Sequence, residues 1–297
     1  MSSLDVSAFK KISIKDGEII SAFAHNSQRR SCELNFCNMF NWSQSYDYKW
    51  QIYKERLIVI LLQGDEILFP AGDFFSPSEL AEISDAIRAT GHRGRIFDVP
   101  EEYIEQFPEI SEYFGVIHSR ASWDYIYLTE NLHLLSGRKL RKKRNHISQF
   151  ERQYSNWHIL PITSGNVRDC ENFLEDFYKG VELSEMLEED YLAISTALKF
   201  MSATGIEGLA LYVNNTVAAM ALFSRQTEDT WTIHFEKADK DIIGASQVIN
   251  RETAAYLKGR CKYINREQDL GIDGLRHAKE SYEPVFMLKR FILERRR

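Results

Sequence analysis

The sequence predicts an α/β (α+β) protein made of two related halves, each a mixed central sheet flanked by helices. Three observations predict it. The chain has 297 residues, more than the roughly 100–200 of one ordinary domain. Its 44% hydrophobic and 12% aromatic content supplies a full core. Its apolar positions alternate between a period of two and a period near 3.6, and the order of elements late in the chain recurs in part early on.

The second half is the clearer. Residues 156–162 form an expected strand. Ser164 is an expected cap for a helix to about Lys179, with Val167, Cys170, Phe173, Leu174 and Phe177 on one face. A second helix is expected over 186–201. Residues 208–213 and 216–224 pair around Asn214-Asn215, two residues that tolerate positive φ. The stretch 230–237 alternates, placing Trp231, Ile233 and Phe235 on one face and Thr232, His234 and Glu236 on the other. A loop containing Gly244 leads into a helix ending near Leu257, with Gly259 as its stop. A strand over 262–267, a helix over 273–282 and a final strand over 285–293 complete the half.

The first half is a weaker copy. A hairpin is expected over 57–62 and 66–69 around Gly64-Asp65. Ser76-Pro77-Ser78-Glu79 is a capping box with proline at the first helical position, and its helix ends at Gly91. A strand over 95–99, a short helix over 100–107 and a strand over 115–119 follow. The expected partition is a degenerate half over 1–136, a basic connecting helix over 137–154, and a second half over 155–297 that carries the donor loop. Strand, helix, helix, three strands, helix, strand, helix, strand resembles the GNAT acyltransferase fold, so both halves are expected to be GNAT-like.

Composition narrows the function. The 37 basic and 43 acidic residues give a net charge of −6, which does not announce a nucleic-acid binder. One local exception is Arg138-Lys139-Leu140-Arg141-Lys142-Lys143-Arg144, with six positive charges in seven residues; Arg295-Arg296-Arg297 is a smaller one. Cys32, Cys37, Cys170 and Cys261 include no CxxC pair and the eight histidines no HExxH, so no metal site or disulfide framework is expected. The longest apolar run is six residues against the roughly 18 of a membrane span, and the start lacks a secretory pattern. A cytoplasmic location and no membrane span are therefore expected.

Four groups of residues carry candidate chemistry. In Ile242-Ile243-Gly244-Ala245-Ser246, a glycine turn and the following helix start present N–H groups to a phosphate. These five residues, with Lys279, are the expected contacts for coenzyme A or acyl-CoA as co-substrate; the alternative is a glycine that merely makes a turn. Tyr282 follows Ala278 by four residues, the GNAT-like spacing at which a phenol protonates a leaving thiolate; the alternative is a tyrosine packed at a helix end. Glu236 and Glu267, beside His234, are candidate bases for the acceptor, or ordinary charges on a half-exposed sheet. Glu252 sits on the inward face of its helix and is expected to pair with Arg266 or Lys262. Arg138, Lys139, Arg141, Lys142, Lys143 and Arg144 are the candidate anion site, for tRNA, CoA or lipid phosphates, or else a solvated face.

Longer stretches add a resemblance. Asp124-Tyr125-Ile126-Tyr127, Leu135-Ser136-Gly137 with the basic run and Asn145-His146, Ile264-Asn265-Arg266-Glu267-Gln268-Asp269-Leu270-Gly271, and Gly274-Leu275-Arg276-His277-Ala278-Lys279-Glu280-Ser281-Tyr282-Glu283-Pro284 resemble the C-terminal catalytic domain family of phosphatidylglycerol lysyltransferase. The resemblance spans about 30–290. It implies two fused GNAT-like halves and, in the lipid-modifying members, transfer of an aminoacyl group from aminoacyl-tRNA to a headgroup hydroxyl.

The expected function is an acyl- or aminoacyl-transferase acting between a small-molecule donor and an amine or hydroxyl acceptor. A CoA thioester is the favoured donor. An aminoacyl-tRNA-dependent transferase of the lysyl-phosphatidylglycerol synthase type, or a non-catalytic module that binds CoA or another anion, are the alternatives.

Overall fold

The computed structural model describes residues 4–61, 65–179 and 184–296. They fall into two compact units, Met1–Asp124 with Leu288–Arg297, and Tyr125–Met287. Each unit is built on a seven-stranded sheet.

The first unit opens with β1 (Lys10–Lys11), α1 (Gly17–Ser27), α2 (Phe36–Asn41) and α3 (Ser43–Tyr46). A meander follows: β2 (Tyr48–Tyr53), β3 (Arg56–Leu61) and β4 (Glu66–Ala71). Of the expected hairpin, Leu62 and Gly64 lie outside the described residues. The capping box starts α4 (Pro77–Arg88): Glu79 N–H donates to Ser76 Oγ, and Ser76 N–H donates to Glu79 Oε2 at 3.0 Å. Leu80, Ile83 and Ile87 point inward, as their spacing requires. β5 (Arg95–Pro100), α5 (Glu101–Gln106), α6 (Ile110–Tyr113) and β6 (Phe114–His118) follow.

The second unit contains β7 (Asp124–Leu128), α7 (Thr129–Leu134), α8 (Arg141–Gln153), β8 (Trp157–Pro161), α9 (Val167–Tyr178) and α10 (Glu185–Thr204). Then come β9 (Glu207–Val213), β10 (Thr216–Arg225), β11 (Thr230–Ala238) and α11 (Ala245–Leu257). β12 (Tyr263–Asn265), α12 (Asp273–Glu280) and β13 (Phe286–Leu288) precede the last strand, β14 (Arg290–Arg295). Asn214 and Asn215 take φ of 52° and 66°, as a tight β9–β10 turn demands. Its core gathers Tyr125, Ile147, Phe150, Leu211, Phe223, Val248 and Ile249, among others.

The two sheets share a plan. Their orders are β1-β2-β3-β4-β5-β14-β6 and β13-β7-β12-β11-β10-β9-β8. In each, an antiparallel meander meets a parallel neighbour, β4·β5 in one and β11·β12 in the other. In each, a strand distant in sequence is inserted next: β14 between β5 and β6, and β7 between β12 and β13. This exchange corrects the expected partition at 136 and 155. It also corrects the single strand expected over 285–293, which breaks at Lys289 into β13 and β14, members of different sheets.

A buried charge network fastens β14. Arg290 is 5% exposed. Its guanidinium pairs with Asp98 at 3.0 Å, Asp124 at 2.9 Å and Glu33 at 3.4 Å, and donates to Ser31 Oγ and Ser122 O. Arg29 joins the same network through Asp98 at 3.9 Å. It donates to the carbonyls of Phe69 and Pro70, just past the last parallel pair of β4 and β5, Leu68↔Phe97. Where the first sheet's parallel strands part, a half-buried arginine takes up the carbonyls.

Removing one partner of a buried ion network strands the others without water. Arg290→Met is expected to destabilise the first unit by about 3–5 kcal/mol, read by urea denaturation. Retained stability would show that β14 is held by its ladder alone.

Candidate active site

β11 and β12 run parallel for three pairs, ending at Thr232↔Asn265. β11 then continues to Ala238, and no ladder pair joins it to β12. Two side-chain bridges span the fork instead. His234 Nδ1 meets Glu267 Oε1 at 3.0 Å. Two residues further along, Glu236 Oε1 accepts from Arg266 Nη2 at 3.1 Å.

A β-bulge separates these bridges. Leu222 pairs with Phe235 but Phe223 pairs with Ile233, so His234 is an extra residue. The strict alternation expected over 230–237 therefore fails at this point, and His234 and Glu236 do not share a face. Trp231, Ile233 and Ala238 pack with α11, and Glu236 Oε2 accepts from Asn250 of α11 at 3.0 Å. On the other face His234 Nε2 meets Ser224 Oγ at 2.8 Å, and Lys237 pairs with Asp190 of α10 at 2.5 Å.

Tyr282 stands beside the Glu236–Arg266 bridge. It is 4% exposed, and its hydroxyl has no hydrogen-bond partner among the described residues. Lys143 Nζ lies 4.1 Å from the ring centre, and the Arg266 guanidinium 4.9 Å. Burial pushes the phenol above its ordinary value of about 10, so it stays protonated. Burial, then the Arg266 charge, pushes the Lys143 ammonium downward. Arg266 Nη1, Asn250 Oδ1 and Thr253 Oγ1 are also buried without partners, so this part of the unit has unspent donors and acceptors.

The sequence-predicted residues divide three ways. Tyr282, Glu236 and Lys143 come together, with Glu267 on the adjoining bridge. The loop 242–246 does start α11, and Gly244 takes φ of 89°. Its open side, however, faces α8: a Cβ there would meet His146 O at 2.6 Å and Phe150 Cβ at 2.8 Å. Ala245 is fully buried, while Ile243 and Ser246 are exposed. The glycine is thus explained by helix packing. Lys279 is occupied, its ammonium donating to the carbonyls of Arg266 and Gln268.

The basic run also divides. Arg138, Lys139, Arg141 and Lys142 are exposed, Lys139 paired with Glu283 at 2.7 Å. Arg144 turns back to the carbonyls of Leu135 and Gly137. Glu252 pairs with its neighbour Arg251 at 2.7 Å, not with Arg266 or Lys262, because Asn250 and Thr253 hold the inward face of α11. Asn250 and Ser224 were not singled out from sequence, and Arg266 only as a partner for Glu252. Arg266 stood in the quoted 264–271 stretch, which was the available signal.

A second layer holds the β12 extension in place. Asp269, fully buried, accepts both nitrogens of Arg276 at 2.9 and 3.0 Å, Tyr125 hydroxyl at 2.6 Å and Gly271 N–H at 2.8 Å. The Arg276 hydrogen bonds, against the opposing pull of burial, hold its carboxyl well below the usual range.

Residues 24–294 match the model of one family, phosphatidylglycerol lysyltransferase, C-terminal. The chain belongs to this family. A conserved protein of unknown function from Bacteroides thetaiotaomicron is 32% identical with a TM-score of 0.91, covering 97% of this chain and 99% of that one. The C-terminal domain of a putative lysylphosphatidylglycerol synthetase from Agrobacterium fabrum is 14% identical with a TM-score of 0.68, over 96% of this chain and 92% of that one. An uncharacterised protein of Mycoplasmoides gallisepticum is 25% identical over 186 residues, 62% of this chain. That match spans 60% of the relative's length, less than two thirds. Family and fold agree with the expected α/β architecture of two sheets flanked by helices. Among the described residues no helix is long and apolar enough to cross a membrane.

A carboxylate whose folded pKa is depressed adds stability above its unfolded value, and that stability is lost as pH falls through the folded one. Asp269→Asn is therefore expected to cost about 2 kcal/mol at neutral pH. The gap to wild type should stay full down to roughly pH 4 and close below it. A gap that is flat with pH would contradict the Arg276 contact as its source.

Proposed function

We propose that the second unit transfers an aminoacyl group from an aminoacyl-tRNA-type ester to an acceptor hydroxyl, with the acyl carbonyl seated in the fork between β11 and β12. The observation that carries this reading is the buried Tyr282 phenol, unpartnered and flanked by Lys143 and Arg266. Glu267 is the base. Its Oε1 is held by His234, and its Oε2 has no partner among the described residues. Glu236 is spent on Arg266 and Asn250, so it positions and does not take the proton.

In the step proposed, Glu267 Oε2 takes the acceptor's proton while the acceptor oxygen attacks the acyl carbonyl. The tetrahedral oxyanion collapses, the ester C–O bond breaks, and the Tyr282 phenol gives its proton to the departing ribose oxygen. Lys143 and Arg266 stabilise the phenolate left behind, an electrostatic role that a low-dielectric site magnifies.

Two features favour an oxygen ester over a thioester. A ribose alkoxide needs a proton on leaving far more than a thiolate, whose parent thiol has a pKa of about 8.5. A phenol pushed upward by burial suits that task. The exposed cations Arg138, Arg141 and Lys142 crowd the start of α8, where the helix end is itself positive, and a phosphate backbone relieves the repulsion. One observation favours the second reading, an acyl-CoA donor: α11 starts without a side-chain cap, leaving first-turn N–H groups for a phosphate.

Radiolabelled aminoacyl-tRNA and acyl-CoA, each offered with phosphatidylglycerol vesicles and with soluble hydroxyl and amine acceptors, test the assignment. Transfer from aminoacyl-tRNA is expected, falling about 10²–10⁴-fold in Glu267→Gln and Tyr282→Phe. It should weaken steeply with salt in wild type, and be weaker but less salt-dependent once Arg141 and Lys142 are neutralised. Turnover of acyl-CoA alone would overturn the donor. Binding without turnover, indifferent to Tyr282→Phe, would leave a non-catalytic anion-binding module.

A further inference from the structure

Behind Glu267 lies a chain of hydrogen bonds that the reaction above does not require. Ser224 Oγ meets His234 Nε2 at 2.8 Å, and His234 Nδ1 meets Glu267 Oε1 at 3.0 Å. Serine, histidine and carboxylate in this order are the components of a nucleophile triad. In such a triad the serine faces the substrate and the carboxylate is the buried end. Exposure runs the opposite way here. The Glu267 side chain is 21% exposed, the His234 side chain 1%, and Ser224 2%.

The backbone supports the same direction. Glu267 adopts φ of 56°, a left-handed conformation that a glutamate holds only when its surroundings impose it. Three contacts impose it. Glu267 N–H donates to Asn265 Oδ1 at 2.6 Å, Glu267 O accepts Tyr125 N–H at 3.2 Å, and Lys279 clamps the carbonyls on either side, those of Arg266 and Gln268. The β-bulge at His234 is a second local departure from regular structure, and it turns the imidazole toward Ser224. Two irregularities, on separate segments, converge on one hydrogen bond.

We propose that Ser224 and His234 form an inverted triad with Glu267. The carboxylate is the outward, proton-accepting end, and the serine is an inner anchor that is never a nucleophile. Ser224 donates its hydroxyl proton to Nε2, which fixes the imidazole proton on Nδ1. Nδ1–H then donates to Glu267 Oε1 and leaves Oε2 aimed outward as the anionic acceptor. Ser224 and His234 are positioning residues; Glu267 alone exchanges a proton with the acceptor. The catalytic part of this inference rests on the transferase reading. The tautomer and the direction do not.

Nitrogen-15 NMR of histidine-labelled full-length protein reads the tautomer without any substrate. The expected wild-type signature for His234 is a single Nδ1–H tautomer that converts towards Nε2–H in Glu267→Ala. A fluorophosphonate probe is expected to leave Ser224 unlabelled. An Nε2–H tautomer in wild type, no response to Glu267→Ala, or a labelled Ser224 would each overturn the proposal. In the transfer assay, His234→Gln is expected to lower kcat about tenfold with KM unchanged, and Ser224→Ala to lower it less. An unchanged kcat in His234→Gln overturns the positioning role while leaving the transferase reading intact. The expected tautomer in a protein that transfers nothing from any donor sinks the transferase reading and supports the inverted direction.

Discussion

Everything proposed for the second unit depends on how two parallel strands are kept apart. Backbone pairing between β11 and β12 stops at Thr232↔Asn265, and from there charged side chains hold the spacing. A backbone ladder draws strands to about 4.8 Å. Beyond the last ladder pair, the bridges His234–Glu267 and Glu236–Arg266 join the same two segments. Such bridges are costly to bury, because Arg266 and Glu236 both lose water, at 12% and 14% side-chain exposure. Asn250 repays part of that cost with a further hydrogen bond to Glu236. The unspent Arg266 Nη1 and Tyr282 hydroxyl show that the region is not optimised for stability. Groups left in that condition are what a binding site needs and a core avoids.

The first unit shows the alternative outcome on the same plan. Its parallel pair β4·β5 also ends early, at Leu68↔Phe97. There the gap is taken by Arg29, bonded to Phe69 O and Pro70 O and paired with Asp98. Proline at 70 removes a backbone N–H where the second sheet has ordinary residues. The charges around Arg290 pair with one another and fix β14, although Asp98 Oδ2 accepts no hydrogen bond among the described residues. A related architecture becomes structural when its own side chains satisfy its fork.

The architecture was legible because periodicity and caps are local. The Ser76–Glu79 box, the Asn214-Asn215 turn and the Gly244 helix start each depend on residues within a few positions, and all three are present. The strand exchange was not legible. Nothing near Lys289 says that β14 leaves the sheet of β13, because the reason is Arg290 meeting Asp98 and Asp124, far away in sequence. The site was legible in part. Tyr282 and Glu267 stood in recognisable stretches, but the bulge at His234 has no sequence mark, and it reverses the faces of His234 and Glu236. Gly244 reads two ways for a physical reason: positive φ serves a phosphate loop and a tight helix contact equally well, and a Cβ there would meet His146 and Phe150.

The most direct measurement is a crystal structure of the protein soaked with a non-hydrolysable aminoacyl ester mimic, a 3′-aminoacylamino-3′-deoxyadenosine. The account predicts the acyl carbonyl between residues 233–236 and Arg266-Glu267, with the Tyr282 hydroxyl bonded to the ribose-side atom and Glu267 Oε2 facing the carbonyl carbon. Density for the mimic at the 242–246 loop with the fork closed, or in the first unit, would contradict it.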